Sequence, residues 1–413
     1  MSLLSELETG TYIADSELAD ASSRAGMRAR KIPGRALYIS PIDMRQSNGM
    51  SQLQKQLLGM LGSMYESVDI LSLGASPAGA RRWLFGEDLT ATVIEGIFAQ
   101  LAWLNCMAWY GGGVILCNRL RWIDRFSFPL KTPLPISWFD RYAVIVCFYP
   151  WAHRLLKLER AGRKVIVCTG DVMADRHERI GTRRWITLTG RDERATLESE
   201  SRSLAVSEDD AAEFKRLYGV QMPALRFLPP ACSELVCLAT GRRSARVGFL
   251  GAPSFVNEEI LELLSQPGFL GCLAKEGIEL VVAGGICNTV QPEVLHALER
   301  GGARVLGPIA SAVDFYAQVG AVLNPVGPST GVKIKSVEAL MAGRGLITTR
   351  WGAEESLRAA FPGQVTYIEW PIDASILAEL TVKVVRDAKP ADPAAAEKYA
   401  TQSNEILRSL LLP

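Results

Sequence analysis

Histidine is scarce in this chain: only His153, His177 and His296 occur in 413 positions, with no clustered ligand spacing. A zinc site, which needs three or four ligands at short regular intervals, is therefore not expected, and no other cofactor is implied. The eight cysteines form no Cys-x-x-Cys pair and several stand inside apolar runs. They read as reduced core residues of a cytosolic protein, not as a disulfide frame. An excess of one charge is missing as well. A net charge of +1 removes the global argument for a nucleic-acid partner, which shows as a strongly basic protein or face. The first residues lack a charged segment followed by an apolar core, so no secretory signal is expected. Residues 1–30 are polar, small and charged and read as a tail or an added helix. A clean membrane span is absent too. The run from Ile97 to Leu116 approaches the required length, but Gln100, Asn105 and the glycines at 111–113 interrupt it, and a buried helix followed by a strand at Gly113 to Cys117 is the reading adopted.

What is present is alternation. At 48% hydrophobic residues the chain is long enough for two domains of ordinary size. Strands expected at Ala36 to Ser40, Val68 to Leu73, Gly113 to Cys117, Ala143 to Phe148 and Lys164 to Cys168 alternate with helical stretches, the pattern of a doubly wound α/β sheet. Leu204 to Ser207 reads as a strand before a capped helix, Glu208 to Tyr218, in which Ser207 and Asp210 form an imperfect capping box. Phe227 to about Arg243, stiffened by Pro229 and Pro230, reads as a linker. A second series follows at Arg246 to Leu250, Glu279 to Ala283, Arg304 to Leu306, Val319 to Leu323, Leu346 to Thr349 and Gln364 to Ile368. The expected division is a Rossmann-like domain over 31–230, a second over 231–390, and a last helix over 391–413 that crosses back onto the first.

One segment carries chemistry. In NPVGPSTGVKIKSVEALMAGRGLITT, residues 324–349, an apolar strand runs into a small-residue turn, then a helix expected from Val332, then another strand. Unpaired N–H groups and the positive end of the helix dipole favour a phosphate at such a turn. Ser329, Thr330, Gly331 and Val332 would supply donors there, and Lys333 and Lys335 full charge. Glu338 lies about two turns in, where a carboxylate can accept hydrogen bonds from ribose hydroxyls. An ordinary βαβ unit whose glycine turn binds nothing is the plain alternative.

The pattern small-Gly-x-Lys-x-Lys-x-x-Glu-Ala-x-x-Ala-Gly followed by a strand resembles the donor-site signature of GT-B glycosyltransferases, particularly glycosyltransferase family 4. The resemblance implies two Rossmann-like domains facing across a cleft. It also implies transfer of a sugar from a nucleoside diphosphate sugar to a hydroxyl of a glycan or lipid-linked glycan, metal-independent, with retention of anomeric configuration, in the manner of bacterial surface polysaccharide synthesis. Glu338 matches the second of two family glutamates, whereas Thr330 stands where the first would be. By the same resemblance, Gly251 contributes backbone groups at the diphosphate and Gly307 holds the nucleobase. The first loop, Ser47, Asn48 and Gly49, faces the cleft by this likeness, or Asn48 and Gly49 simply start a helix. The run Cys168 to Arg176 is similar to an Asp-x-His-Asp-x-x-x-x-Arg motif, with Asp171 and Arg176 matched and Gly170 in place of the histidine. Asp171 is then an acceptor-orienting group or general base, or a cap.

Two further features stay open at this stage. Tyr149 and His153, after the Ala143 strand, form either an aromatic platform with a catalytic imidazole for an acceptor sugar or a buried helix start. Residues 119–164 hold ten Arg or Lys against three acids, with Trp122, Phe126, Phe128 and Trp138 among them. This is either a solvated surface or a face that rests on the anionic inner membrane and meets a lipid-linked acceptor. The rivals to a transferase are a GT-B sugar-nucleotide epimerase and a catalytically silent nucleotide- or glycan-binding protein.

Overall fold

The computed structural model describes residues 31–41, 49–84, 91–119, 132–174, 188, 190–239, 244–329, 331–387 and 392–413. The tail 1–30 and the sites at Ser47, Asn48, Arg176 and Thr330 lie outside them. Within this range, residues 36–40, 144–148 and 321–324 are buried at every position. Unbroken apolar burial of this kind belongs to parallel strands covered on both faces.

Twelve strands form two parallel sheets. The first holds β1 (Ile32–Ser40), β2 (Tyr65–Ser72), β3 (Ala91–Val93), β4 (Tyr142–Phe148), β5 (Val165–Cys168) and β6 (Arg202–Leu204) in the order β3-β2-β1-β4-β5-β6. The second holds β7 (Arg246–Leu250), β8 (Glu279–Ala283), β9 (Arg304–Gly307), β10 (Ala321–Asn324), β11 (Gly345–Thr348) and β12 (Val365–Tyr367) in the order β12-β11-β10-β7-β8-β9. Each sheet repeats the doubly wound order 3-2-1-4-5-6, so its ligand crevice lies beyond the strand ends where that order reverses. The two reversal points are β1/β4 and β7/β10. Register across them is direct, with Tyr38 opposite Val146 and Val322 opposite Gly248.

The helices that bear on the site are α1 (Gly49–Met64), α2 (Ile97–Arg119), α3 (Pro150–Leu156), α4 (Gly190–Leu197), α5 (Glu208–Tyr218), α6 (Cys232–Leu238), α7 (Phe255–Leu264), α8 (Ala312–Gln318), α9 (Ile334–Met341) and α10 (Pro393–Leu410). One apolar core runs from Leu37, Ile39, Val146 and Val167 of the first sheet to Phe315, Tyr316, Val337 and Tyr399. A second, around Phe249, Leu261 and Ile347, fills the other side of the second sheet. Helix α10 lies against the first half of the chain: Tyr399 Oη donates to the Phe227 carbonyl at 3.3 Å and Tyr65 Oη to that of Leu411 at 2.8 Å.

Three expectations are corrected. Gly113 to Cys117 is not a strand but the end of the 23-residue helix α2; the place beside β2 is taken by Ala91–Val93, and glycines lower helix propensity by about 1 kcal/mol each without forbidding a helix. The stretch read as a linker, Phe227 to about Arg243, contains a helix, Cys232–Leu238 (α6), which buries Leu235. The helix after the phosphate turn begins at Ile334, not Val332. Among the described residues no helix is long and apolar enough to cross a membrane.

Candidate active site

The turn 325–333 leaves β10 at the β7/β10 reversal point, and buried polar bonds fix where it goes. Asn324 Nδ2 donates to Ser336 Oγ at 2.7 Å, Ser336 Oγ to the Gly352 carbonyl at 2.6 Å, and Thr348 Oγ1 to the Asn324 carbonyl at 2.7 Å. These bonds tie the strand, the first turn of α9 and the loop after β11 into one unit. Lys333 is the N-cap residue of α9 and makes no side-chain cap, so the positive end of this helix is not shielded by a capping oxygen. Gly331 adopts φ +76°, a conformation that L side chains rarely adopt, and Lys333 Nζ folds back on its carbonyl at 2.8 Å. Burial lowers the Lys333 pKa, while the charges of Asp210 and Asp171 act to raise it.

Lys335 points the other way. Its ammonium donates to Asn257 Oδ1 at 2.9 Å and lies 4.5 Å from the centre of the Phe249 ring. The strand end at β7, which has no Arg or Lys of its own in that loop, thus receives a cation from α9. Burial brings the Lys335 pKa down to about 7, with Glu338 opposing the shift. Glu338 is buried, accepts from Tyr316 Oη at 2.9 Å and is pushed up to about 7 by burial. The Tyr316 bond holds this carboxylate in one rotamer behind the lysine.

The first half of the chain sets carboxylates against the turn. Asp171, after β5, is buried and accepts the N–H of its neighbour Val172 through Oδ1 at 2.9 Å, while the next two N–H groups, which a cap would hold, go to Glu193; its charge also reaches Lys333. Asp210, in the first turn of α5, receives the Gly331 N–H on Oδ1 at 3.3 Å, while Ser207 Oγ caps its own N–H at 3.0 Å. The Asp171 loop is in turn held by Glu193 of α4, which accepts from the Met173 and Ala174 N–H groups at 2.8 and 3.2 Å and from Tyr218 Oη at 2.8 Å. Burial raises Glu193 to about 7. Between the halves Asp210, Arg226, Ser329, Lys333, Glu354 and Tyr399 help to line a cavity of about 50 Å³.

The remaining sites are spread more widely. Tyr149 is the buried N-cap residue of α3: it has φ 71°, and its ring lies over Gly170, where an added Cβ would come within 2.3 Å of Tyr149 Cε1. This ring leaves no room for a side chain at 170. His153 does not join it. One turn into α3, it is buried against Ser201 Oγ at 3.0 Å, beside the start of β6 and away from the strand ends, with its pKa lowered to about 4 by burial. Gly251 has both backbone polar groups engaged, its N–H on Ala283 and its carbonyl with Ile286, so it shapes the β7–β8 contact. Gly307, at φ +71°, accepts the Gly284 N–H on its carbonyl at 2.8 Å. Ser329 Oγ donates to the Gly327 carbonyl at 3.1 Å, Val332 lines the cavity, and Gly49 is the first residue of α1. Sequence reading missed the roles of Asp210, Glu193, Tyr316 and Glu354. Only Asp210 left a trace, as the short acid in an incomplete capping box.

No family model and no curated protein matches the chain. Solved structures do. HepE of Anabaena in complex with UDP and glucose is 13% identical over 91% of this chain and 96% of that one, with a TM-score of 0.55. A glycosyltransferase from Rickettsia africae is 11% identical over 92% and 96%, with a TM-score of 0.56. The α,α-trehalose 6-phosphate synthase of Burkholderia multivorans is 11% identical over 92% and 95%, with a TM-score of 0.55. At these identities the likeness is one of architecture, and the architecture is GT-B: two Rossmann-like halves that meet across a cleft.

Proposed function

We propose that the chain is a glycosyltransferase that moves a sugar from a nucleoside diphosphate sugar to a hydroxyl of a glycan or lipid-linked glycan. The observation that carries this reading is the turn at the β7/β10 reversal point, where the Gly331 N–H, Lys333 and an uncapped helix start face one way and Lys335 and Glu338 the other. As the bond from the anomeric carbon to the diphosphate oxygen breaks, negative charge grows on the departing diphosphate. Two lysines and turn N–H groups placed beforehand stabilise that charge most in the transition state. Glu338, oriented by Tyr316, receives ribose hydroxyls. Asp171, on the opposite rim, orients the acceptor hydroxyl. The HepE structures with UDP make uridine nucleotides the first to try.

A thermal-shift series with UDP, GDP, ADP and UDP-glucose tests the donor half. Stabilisation by ligand follows RT ln(1 + [L]/Kd), about 2.7 kcal/mol at a hundredfold excess over Kd, so at least one nucleotide is expected to raise Tm by several degrees. A folded protein that none of them stabilises would count against the assignment.

The acceptor half of the proposal rests on α2. Its Ala99, Ala102 and Cys106 are buried, whereas Ile97, Leu101 and Leu104, at helical spacing, are exposed together with Ile136. An apolar helix face beside a stretch with ten basic residues against three acids suits an anionic bilayer and a lipid-linked acceptor. Sedimentation with phosphatidylglycerol vesicles is expected to carry the protein down, and less of it when Leu101 and Leu104 are changed to Ser. Equal sedimentation of both proteins would remove this face from the proposal.

A further inference from the structure

Two hydrogen bonds close the cleft reciprocally. The Gly331 N–H of the second half donates to Asp210 of the first at 3.3 Å, and the Glu208 N–H of the first half donates to Glu354 Oε2 of the second at 3.1 Å. Asp210 is only 2% exposed, and its other oxygen, Oδ2, has no hydrogen-bond partner although the residue lines the 50 Å³ cavity with Ser329, Gly331 and Lys333. A buried carboxylate oxygen without a donor is costly. Asp171 from the β5 loop and Asp209 and Glu354 nearby add negative charge around it, and Lys333 is the positive group that offsets them. What favours an anion here is therefore a turn N–H at positive φ, a lysine ammonium and an uncapped helix start. A phosphate is recognised by that same set.

We propose that Asp210 is a built-in competitor for the phosphate seat: its carboxylate and a nucleoside diphosphate claim the same Gly331 N–H and Lys333 ammonium. The inference rests on the donor-site reading above. The single Gly331 N–H is already held by Asp210 Oδ1 at 3.3 Å, and two anions set against one N–H and one ammonium repel each other. Donor entry therefore exchanges one anion for the other and releases the Gly331 bond that holds the halves together. Closure of the cleft and occupation of the seat are in this way a single equilibrium, biased by one residue.

Calorimetric titration of UDP into the full chain, Asp210→Asn and Asp209→Asn tests it. Asp209 sits on the same turn of α5 and borders the same cavity, but it is exposed and the Gly331 N–H is bonded to Asp210, so its replacement removes equal charge near Lys333 without touching the carboxylate that holds the turn. Asp210→Asn is expected to bind UDP roughly tenfold tighter, the scale of a charge-assisted hydrogen bond weakened to a neutral one, and Asp209→Asn less than about threefold tighter. Asp210→Ser, which removes the side chain from the seat altogether, is expected to follow Asp210→Asn and serves if the asparagine variant does not fold. Unchanged or weaker UDP binding in the Asp210 variants, or equal tightening in Asp209→Asn, overturns the competition while leaving the donor site standing. Folded proteins that bind none of UDP, GDP and ADP overturn both.

Discussion

Lys335→Ala and Glu338→Ala are each expected to lower sugar-nucleotide turnover by about two to three orders of magnitude, the effect of removing one preorganised charge from a developing anion or one anchor of the leaving group. The two losses have different routes. Lys335 is held between Asn257 Oδ1 and the Phe249 ring, and burial leaves its pKa at about 7. A bound diphosphate favours the charged ammonium, so nucleotide binding takes up a proton on Lys335. Affinity should then fall as pH rises from about 7 to 9, and Lys335→Ala should flatten that slope as well as weaken binding. Glu338→Ala also leaves the buried Tyr316 hydroxyl only the longer bond to the Lys335 carbonyl at 3.3 Å, at a cost of about 1 kcal/mol of stability. Glu338→Gln keeps an acceptor for Tyr316 and separates stability from function: it should melt near the parent yet lose ribose binding. Turnover unchanged in both alanine variants would place the donor elsewhere.

How much of this was legible in the sequence depends on how far each interaction reaches along the chain. Strand β8 and helix α5 lie where the apolar pattern puts them, residue for residue, and Ser207 is the cap its position suggests. Periodicity and capping act within a few residues, so a short window contains their causes. Asp210 shows the limit. Its capping partner is three residues away, but the N–H its carboxylate holds belongs to Gly331, 121 positions on. Nothing local announces that bond. Gly251 shows the same limit: the resemblance gives its backbone groups to the diphosphate, but here they are bonded to Ala283 and Ile286, partners that only the second sheet's strand order brings near. In α2 the glycines at 111–113 were weighed as breakers, whereas the decisive fact was that Ala91–Val93 already fills the sheet position beside β2.

Gly170→Ala is expected to destabilise the protein by about 3 kcal/mol or more, because two separate penalties meet at one Cβ. The first is conformational. Gly170 has φ +72°, which costs a side-chain-bearing residue about 1–2 kcal/mol. The second is steric: the new Cβ would lie 2.3 Å from Tyr149 Cε1 and 2.6 Å from Cδ1. Tyr149 has little freedom to retreat. Its N–H is bonded to the Cys168 carbonyl at 2.7 Å, it begins α3 at φ 71°, and its ring is fixed edge-on to Phe148 at 5.0 Å and stacked with Trp151 at 6.2 Å. Denaturant titration of the two single variants and the double variant resolves the terms. With Tyr149 truncated to alanine the steric penalty disappears and only the conformational one is left, so Gly170→Ala should then cost about 1–2 kcal/mol, a coupling of at least 1 kcal/mol. Equal costs in both backgrounds would mean that the ring is not what requires glycine. The coupling also reports on chemistry, since β5 presents Gly170 and Asp171 on one rim opposite Gly331, whose Cβ, if it had one, would lie 3.8 Å from the Gly170 carbonyl. A side chain at 170 pushes against both walls of the cleft at once, so turnover should fall further than the loss of folded protein accounts for.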